Sequence, residues 1–562
     1  MSLKARFIGA IGTVTGSCTL LHYSLTDSYY LVDCGMYQGS VEAEERNRRS
    51  FDFDPKRIAA VLLTHAHADH YGLIPKLIQS GFSGKVICTR ATAEFVKIGL
   101  QDRGAGNEDL WPDEALKKLD SMFECPDDKD NFKFGHSYAL GQDIFYSFLR
   151  TAHIVGSVAI EIRVNTNTRD NVTTTFSGDL GTTVNASVSG GLQKKRQNPN
   201  PSSNVIVCES TNGLLERPAD AGGFNSRIEA MRAAIAQAFT DSVNPVIIMP
   251  TFSLQRTQDL LFDLDYVFRH GGLPDTCVAP ISILVSSGLA QRHSNAMLRA
   301  FQQRNHKGER MWLNTDSPLF ANLDDEQIED RLRRILTPGG SGSLFSWHGR
   351  QWHICTGHHG THDSGPKIIL AGPGMCMGGT SLELLARHAS STDASIIFAG
   401  YVPASSPAFR IRACARGEEQ LTSSTKPITL GTTQINPSDI CARIYDLGAF
   451  YSGHADSSSL AEFILRKDTS RDGPPLTVVL NHGDRRAREA LSTRLKNMAQ
   501  SGQPNLKPLQ AVYMPERTDQ WLDLVSGEWI ENQSHSSDKI DAILKAAELD
   551  PELRRKLDEI GL

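Results

Sequence analysis

Along the first two hundred residues, short apolar runs alternate with stretches of helical spacing. Tyr29–Asp33, Ala60–Leu63, Lys85–Cys88, Ile144–Leu149 and Val205–Cys208 have strand length and are rich in Val, Ile, Phe and Tyr. Gly, Asp and Asn punctuate them. This rhythm predicts sheets covered by helices, an α/β fold. A second α/β segment follows Glu209, with helices predicted over Ile228–Phe239 and Gln255–Phe268. Strands are predicted over Pro245–Met249, Lys367–Leu370 and Ser395–Phe398. A Gly- and Ser-rich stretch near Gly339–Ser343 and an irregular His-rich segment lie between these elements. Near Ser534–Asp538 the composition turns to Ser, His and Asp and predicts a linker. Beyond it Ile540, Ile543, Leu544 and Ala547 recur at helical spacing, and Asp550–Pro551 reads as an N-cap and first helical residue. That tail suits a homodimer or partner contact as well as it suits a solvated appendage.

Composition narrows the class. A chain of 562 residues is too long for one ordinary core and predicts two or three folded units. Apolar residues at 40% and charged residues at 22% match a globular protein rather than a disordered one. The formal net charge of −6 argues against a globally basic nucleic-acid coat and leaves room for a local basic groove. No apolar run reaches the ~20 residues of a membrane helix, and the opening Met1–Gly12 reads as a first strand rather than a signal peptide. The ten cysteines are scattered without a C-x-x-C pair, which predicts free thiols in a reducing cytoplasm.

The strongest chemical signal is Thr64-His65-Ala66-His67-Ala68-Asp69-His70. It follows the apolar run Val61–Leu63 and precedes a helix predicted over Gly72–Gln79, so it sits on a strand-to-helix loop, where α/β sheets place their sites. Imidazole and carboxylate are zinc donors, and a catalytic site keeps one position open for water. One short loop cannot wrap four donors around one ion, so His65 and His67 set against Asp69 and His70 suit two adjacent ions. Three more candidate ligands each follow an apolar run. His153 comes after Ile144–Leu149, Asp179 after Thr173–Phe176, and His482 after Val478–Leu480.

In order and context, His65-x-His67-x-Asp69-His70, His153 and Ser177-Gly178-Asp179 resemble the metallo-β-lactamase superfamily. Leu31-Val32-Asp33-Cys34-Gly35 fits it too. Glu209-Ser210-Thr211, Phe450-Tyr451-Ser452-Gly453-His454-Ala455-Asp456 and Asn481-His482-Gly483-Asp484 are similar to motifs A, B and C of its β-CASP nucleases. Gly12-Thr13-Val14-Thr15-Gly16-Ser17 and Asp33–Gly39 look like the bacterial and archaeal RNA-processing endonucleases related to the pre-mRNA 3′-end cleavage subunit. The resemblance covers about residues 1–530. It implies a four-layer αββα core from residues 1–208 and 453–530, an inserted α/β β-CASP domain over 209–452, and a linker and helical tail over 531–562. It implies two Zn2+ ions: one on His65, His67 and His153, the other on Asp69, His70 and His482, with Asp179 bridging. Mn2+ suits the same donors.

The implied activity is endonucleolytic hydrolysis of single-stranded RNA by a metal-bound hydroxide. A DNA-directed nuclease of the same branch, a small-molecule metallo-hydrolase and a catalytically weak RNA-binding subunit stand as alternatives. The leaving alkoxide needs a proton, for which His454 is the candidate acid, held by Glu209. Asp33 is expected to orient histidines of the metal loop. Arg256, Arg410 and Arg412 are candidate phosphate contacts. The insert departs from the relatives' pattern: Ser286-Ser287-Gly288 stands where Asp-Ser-Pro is usual. Val402 and Ser405-Ser406-Pro407 also depart, and Asn212 replaces a common Tyr. His358, His359 and His362 read as a polar loop, and Lys194-Lys195-Arg196 as a solvated one.

Overall fold

Runs of β-branched and aromatic residues become strands here because each finds a hydrogen-bonding partner in one of three large sheets. The computed structural model describes residues 2–102, 109–165, 171–181, 191–199, 203–217, 223–270, 281–337, 344–348, 351–355, 365–400, 402, 406–415, 426–466 and 474–530. Among them, eight strands form a first sheet in the order Glu528–Ile530, Trp521–Asp523, Leu3–Phe7, Thr19–Tyr23, Ser28–Val32, Ile58–Leu62, Lys85–Ile87 and Phe123–Glu124. Seven strands form a second, in the order Leu509–Tyr513, Leu476–Asn481, Ser203–Glu209, Val172–Phe176, Val158–Val164, Ile144–Arg150 and Tyr138–Gly141. The C-terminal strands thus return to both sheets begun by the N-terminal residues.

The two sheets share one apolar core, in which Phe7, Leu21 and Val61 of the first cluster with Phe148, Ile160 and Ile162 of the second. Helix Asp113–Met122 packs on the first sheet, and helices Ser457–Leu465 and Arg485–Gln500 pack on the second. Burial follows topology. Leu3–Phe7 alternates buried and half-buried positions, whereas Val172–Phe176 and Leu476–Asn481 are buried throughout, as strands covered on both faces must be.

A third seven-stranded sheet belongs to the middle of the chain. Its order is Gln351–Cys355, Leu344–His348, Ile281–Ser286, Lys367–Ala371, Val246–Pro250, Ala394–Phe398 and Arg443–Asp446. Helices Phe224–Asp241, Arg256–His270 and Gly288–Gln302 belong to the same segment, the last capped by the side chain of Ser287. No helix of the described residues is long and apolar enough to cross a membrane. Cys18, Cys34, Cys88, Cys125, Cys208, Cys376, Cys414 and Cys441 are free thiols. The linker and tail beyond Ile530, the stretch Gly339–Ser343, and His358, His359 and His362 lie outside the described residues.

Two local expectations are corrected. The helix expected over Gly72–Gln79 is two short helices, Ala68–Tyr71 and Ile74–Gln79. Pro75 cannot donate a backbone hydrogen bond to Tyr71, so the first helix stops and Pro75 opens the second from its first turn. Asp69 and His70 therefore lie on a helix rather than a loop. The Lys194-Lys195-Arg196 run is not a solvated loop throughout. Arg196 is buried, donates to the carbonyls of Gly181 and Ser459, and stacks over Phe463.

Candidate metal centre

Strand register brings the scattered candidates to one edge. Val172–Phe176, Ser203–Glu209 and Leu476–Asn481 run parallel, with Phe176 opposite Val207 and Glu209 opposite Asn481. Asp179, Glu209 and His482 therefore emerge together at the carboxyl ends of adjacent strands, where open α/β sheets gather ligands. On the facing sheet Ser28–Val32 and Ile58–Leu62 are parallel, with Val32 opposite Leu62, so Asp33 and His65 emerge side by side. His153 sits in the turn between Ile144–Arg150 and Val158–Val164. Two glycines permit the close approach of these segments. A Cβ on Gly35 would lie 1.6 Å from the carbonyl oxygen of Asp69, and one on Gly178, at φ +54°, would press on Thr64 at 2.8 Å.

Three donor groups result: His65, His67, His153 and Asp179, beside them Asp69, His70 and His482, and a third of Asp179, Glu209 and His454; the first two hold every imidazole of the cluster but one. Nε2 of His65 and Nε2 of His153 each lie 3.1 Å from Nδ1 of His67. Asp179 divides its oxygens between the first two. Oδ2 is 3.5 Å from Nε2 of both His65 and His153, while Oδ1 is 3.4 Å from Nε2 of His70 and 3.5 Å from Nδ1 of His482. Nε2 of His482 is 3.3 Å from Oδ2 of Asp69. Nitrogens sharing a tetrahedral ion at ~2.0–2.1 Å would stand about 3.3 Å apart, close to these separations. Nε2 of His70 and Oδ1 of Asp179 are buried without a hydrogen-bond partner. Such atoms are costly unless a ligand meets them, and the donors present fit divalent metal ions.

Hydrogen bonds behind the cluster fix which ring nitrogen faces it. Oδ2 of Asp33 lies 2.7 Å from Nδ1 of His70, while its Oδ1 accepts from the amide of Thr64 at 2.8 Å. Nδ1 of His153 donates to the carbonyl of Gly453 at 2.7 Å. Oγ1 of Thr211 lies 3.2 Å from Nδ1 of His482. Charge follows this layout. Burial pulls His65 and His153 well below the ordinary imidazole pKa. Burial works the same way on His70, but Asp179, Asp33 and Asp69 outweigh it and hold His70 well above that value. Asp179 would be pushed up by burial, yet the surrounding histidines, His482 and His70 foremost, hold it well below the usual carboxylate range.

His454 stands on the open side of this cluster, with its side chain 25% exposed. Nδ1 lies 3.1 Å from both carboxylate oxygens of Glu209, and Nε2 faces Oδ2 of Asp179 at 3.9 Å. Glu209 is itself buried and held, accepting from the amides of Leu180 and Thr211 at 2.7 and 3.2 Å. Burial opposes protonation of His454, but Glu209 and Asp179 prevail and raise its pKa to about 9.

The three candidate arginines separate. Arg256 lines a cavity next to His153 and Gly453. Arg410 instead donates to the carbonyls of Lys426 and Pro427, and Arg412 pairs with Asp446 at 3.0 Å. Neither lines that cavity, and the donors of both have partners inside the insert. Thr64, Thr211, the Gly453 carbonyl and Arg217, which donates to the carbonyl of His454, were not foreseen. Thr64, Thr211 and Gly453 lie within the Thr64–His70 run and motifs A and B, which marked their positions but not their partners; Arg217 lies in no motif.

Residues 11–143 match the model of the metallo-beta-lactamase superfamily, residues 257–411 that of the Beta-Casp domain, and residues 439–508 that of the Zn-dependent metallo-hydrolase RNA specificity domain. The chain is 29% identical over 497 residues to ribonuclease TTHA0252 of Thermus thermophilus, spanning 85% of this chain and 92% of that protein. It is 24% identical over 511 residues to transcription termination factor FttA of Cenarchaeum symbiosum, spanning 87% and 68%. It is 21% identical over 496 residues to cleavage and polyadenylation specificity factor subunit 3-II of Arabidopsis thaliana, spanning 86% and 68%.

Proposed function

Because the chain belongs to the β-CASP branch of the metallo-β-lactamase superfamily, we propose that it is a metal-dependent endoribonuclease that hydrolyses phosphodiester bonds in single-stranded RNA. One observation carries the reading: the Glu209–His454 pair converges on the same Asp179 that divides two groups of metal donors. A hydrolase of activated small molecules has little use for a held acid at that place. A nuclease needs one, because its leaving group is an alkoxide.

In this reading His65, His67 and His153 hold one ion, Asp69, His70 and His482 hold a second, and Asp179 serves both. Zinc suits these donors, and manganese is accepted by the same set. When bound there, such ions would lower the pKa of a water toward neutrality and would offset charge on the phosphate oxygens. The chain's own residues do the rest. Nδ1 of His454 is occupied by Glu209, so Nε2 carries the proton that goes to the leaving oxygen. Arg256 meets the strand's charge from the adjoining cavity. Asp33 keeps Nε2 of His70 turned inward.

Incubating metal-loaded protein with end-labelled single-stranded RNA and DNA tests the proposal directly. Internal cuts in RNA are expected on a gel. An enzyme that leaves both polymers intact while turning over a small ester would end the nuclease reading. Asp33→Asn is expected to weaken metal affinity about 10- to 100-fold, because its amide would present a donor to the N–H of His70. Competition against a chromophoric chelator reads this out, and wild-type affinity would show that Asp33 does not orient the site.

A further inference from the structure

Beside the metal centre lies a cavity of about 110 Å³ whose wall includes His153 and Gly453. It is contiguous with the cluster, since the same His153 ring turns Nε2 toward Asp179. Four cations, Lys195, Arg217, Arg227 and Arg256, line it against two acids, Asp259 and Asp263. Arg227 is matched by Asp263, with Nε and Nη2 at 2.8 and 3.0 Å from its two oxygens. Asp263 also accepts from the hydroxyl of Tyr451 at 2.6 Å. Arg256 reaches Asp259 only through Nη1 at 3.5 Å, and Asp259 is shared with the amide of Gln255 at 2.9 Å.

That leaves positive charge over. Among the described residues Arg217 has no carboxylate at ion-pair distance; it donates to the carbonyl of His454 instead. Asp456, which acts on Arg217 only through charge, caps helix Ser457–Leu465 through the amide of Ser459. The Nε atoms of Arg217 and Arg256 are both buried without a partner. Lys195 is exposed and makes no ion pair with a described residue. Burial pulls both arginines below their ordinary pKa. A desolvated guanidinium without a counter-charge is unfavourable, and an incoming anion restores what burial removed. The cavity wall is also held under strain. Ala152 and Gln255 line it at φ 58° and 70°, left-handed for residues other than glycine, a cost that concentrates at ligand sites.

We propose that this cavity is a subsite for a second phosphate of the RNA strand, next to the one being cleaved, with Arg217 as its anchor and Lys195 and Arg256 beside it. The assignment rests on the endoribonuclease reading. Guanidinium suits it, since two N–H groups can meet two phosphate oxygens at once. An internal phosphodiester is the ligand, so a strand's end is not required.

Equilibrium binding of a fluorescent short RNA to metal-loaded protein tests this, in a His454→Ala background where the strand survives. Each phosphate contact contributes about 0.7 to the slope of log affinity against log salt for a single strand. Arg217→Gln is expected to weaken binding about tenfold and to flatten that slope by about 0.7. Lys195→Gln should flatten it in the same sense, and Arg217→Lys should keep most of it. Strands with a 5′-hydroxyl and a 5′-phosphate should lose affinity alike. A slope unchanged in a folded Arg217→Gln protein overturns the subsite, and a loss confined to 5′-phosphorylated strands overturns its internal character. If Arg217→Gln fails to fold, the exposed Lys195→Gln decides by the same slope. The nuclease reading is judged separately, by RNA cleavage in protein with His454 intact.

Discussion

Asp179→Ala is expected to abolish hydrolysis of every phosphodiester, activated or not, and to lower the metal content of the chain. The carboxylate sits between the two donor groups with one oxygen turned to each, 3.4–3.5 Å from four different imidazoles. No neighbouring side chain can replace it, since Asp69 already faces His482 and Asp33 faces His70. Its loss should not unfold the chain. Asp179 follows strand Val172–Phe176, whose pairing with Val158–Val164 and Ser203–Glu209 is made by backbone groups and buried side chains. Elemental analysis after zinc supplementation and a nitrophenyl phosphodiester assay check both halves. Wild-type metal content with wild-type turnover would show that Asp179 does not serve the metals. Asp69→Ala should also abolish turnover, yet it should spare metal binding at His65, His67 and His153, because its oxygen faces only the second group.

How much of this was legible before the coordinates depends on the range over which each signal acts. The α/β class was readable because apolar runs of strand length end in Gly, Asp and Asn, a local pattern that backbone sterics enforce. His65, His67, Asp69 and His70 were readable because four donors in six positions is itself the signal. His153, Asp179 and His482 each followed an apolar run; the parallel register of Val172–Phe176, Ser203–Glu209 and Leu476–Asn481 brings Asp179 and His482 together, and His153 joins them from the turn of the antiparallel pair Ile144–Arg150 and Val158–Val164. Interactions that cross the chain had no such trace. Gly453 offers its carbonyl to His153 from 300 positions away, and Tyr451 reaches Asp263 across 188. Basic residues were the least readable, because a sequence shows a charge but not its partner. Arg410 and Arg412 turned out to be engaged within the insert, Arg196 is buried in the core, and Arg217, which no pattern marked, lines the cavity with His153 and Gly453.

His454→Ala separates a nuclease from a small-molecule hydrolase. Removing a general acid costs typically ~10²–10⁴ in rate, but only where the leaving group needs its proton. A ribose alkoxide needs one; a nitrophenolate leaves without it. Cleavage of RNA should therefore fall by about that factor, while cleavage of a nitrophenyl phosphodiester is largely spared. The geometry supports a role distinct from metal binding. His454 presents Nδ1 to Glu209 at 3.1 Å and keeps Nε2 at 3.9 Å from Asp179, farther than any of the four imidazoles of the two donor groups that face it. Glu209→Gln should show the same pattern more weakly. The N–H groups of Leu180 and Thr211 donate to different carboxylate oxygens, so the amide keeps an acceptor for only one of them, and it loses the charge that holds the proton on His454. Metal content should match wild type in both variants. Equal losses on the two substrates would mean that His454 acts through the metals or the fold, and no loss on either would leave the Glu209–His454 pair as packing and remove the observation on which the nuclease assignment stands.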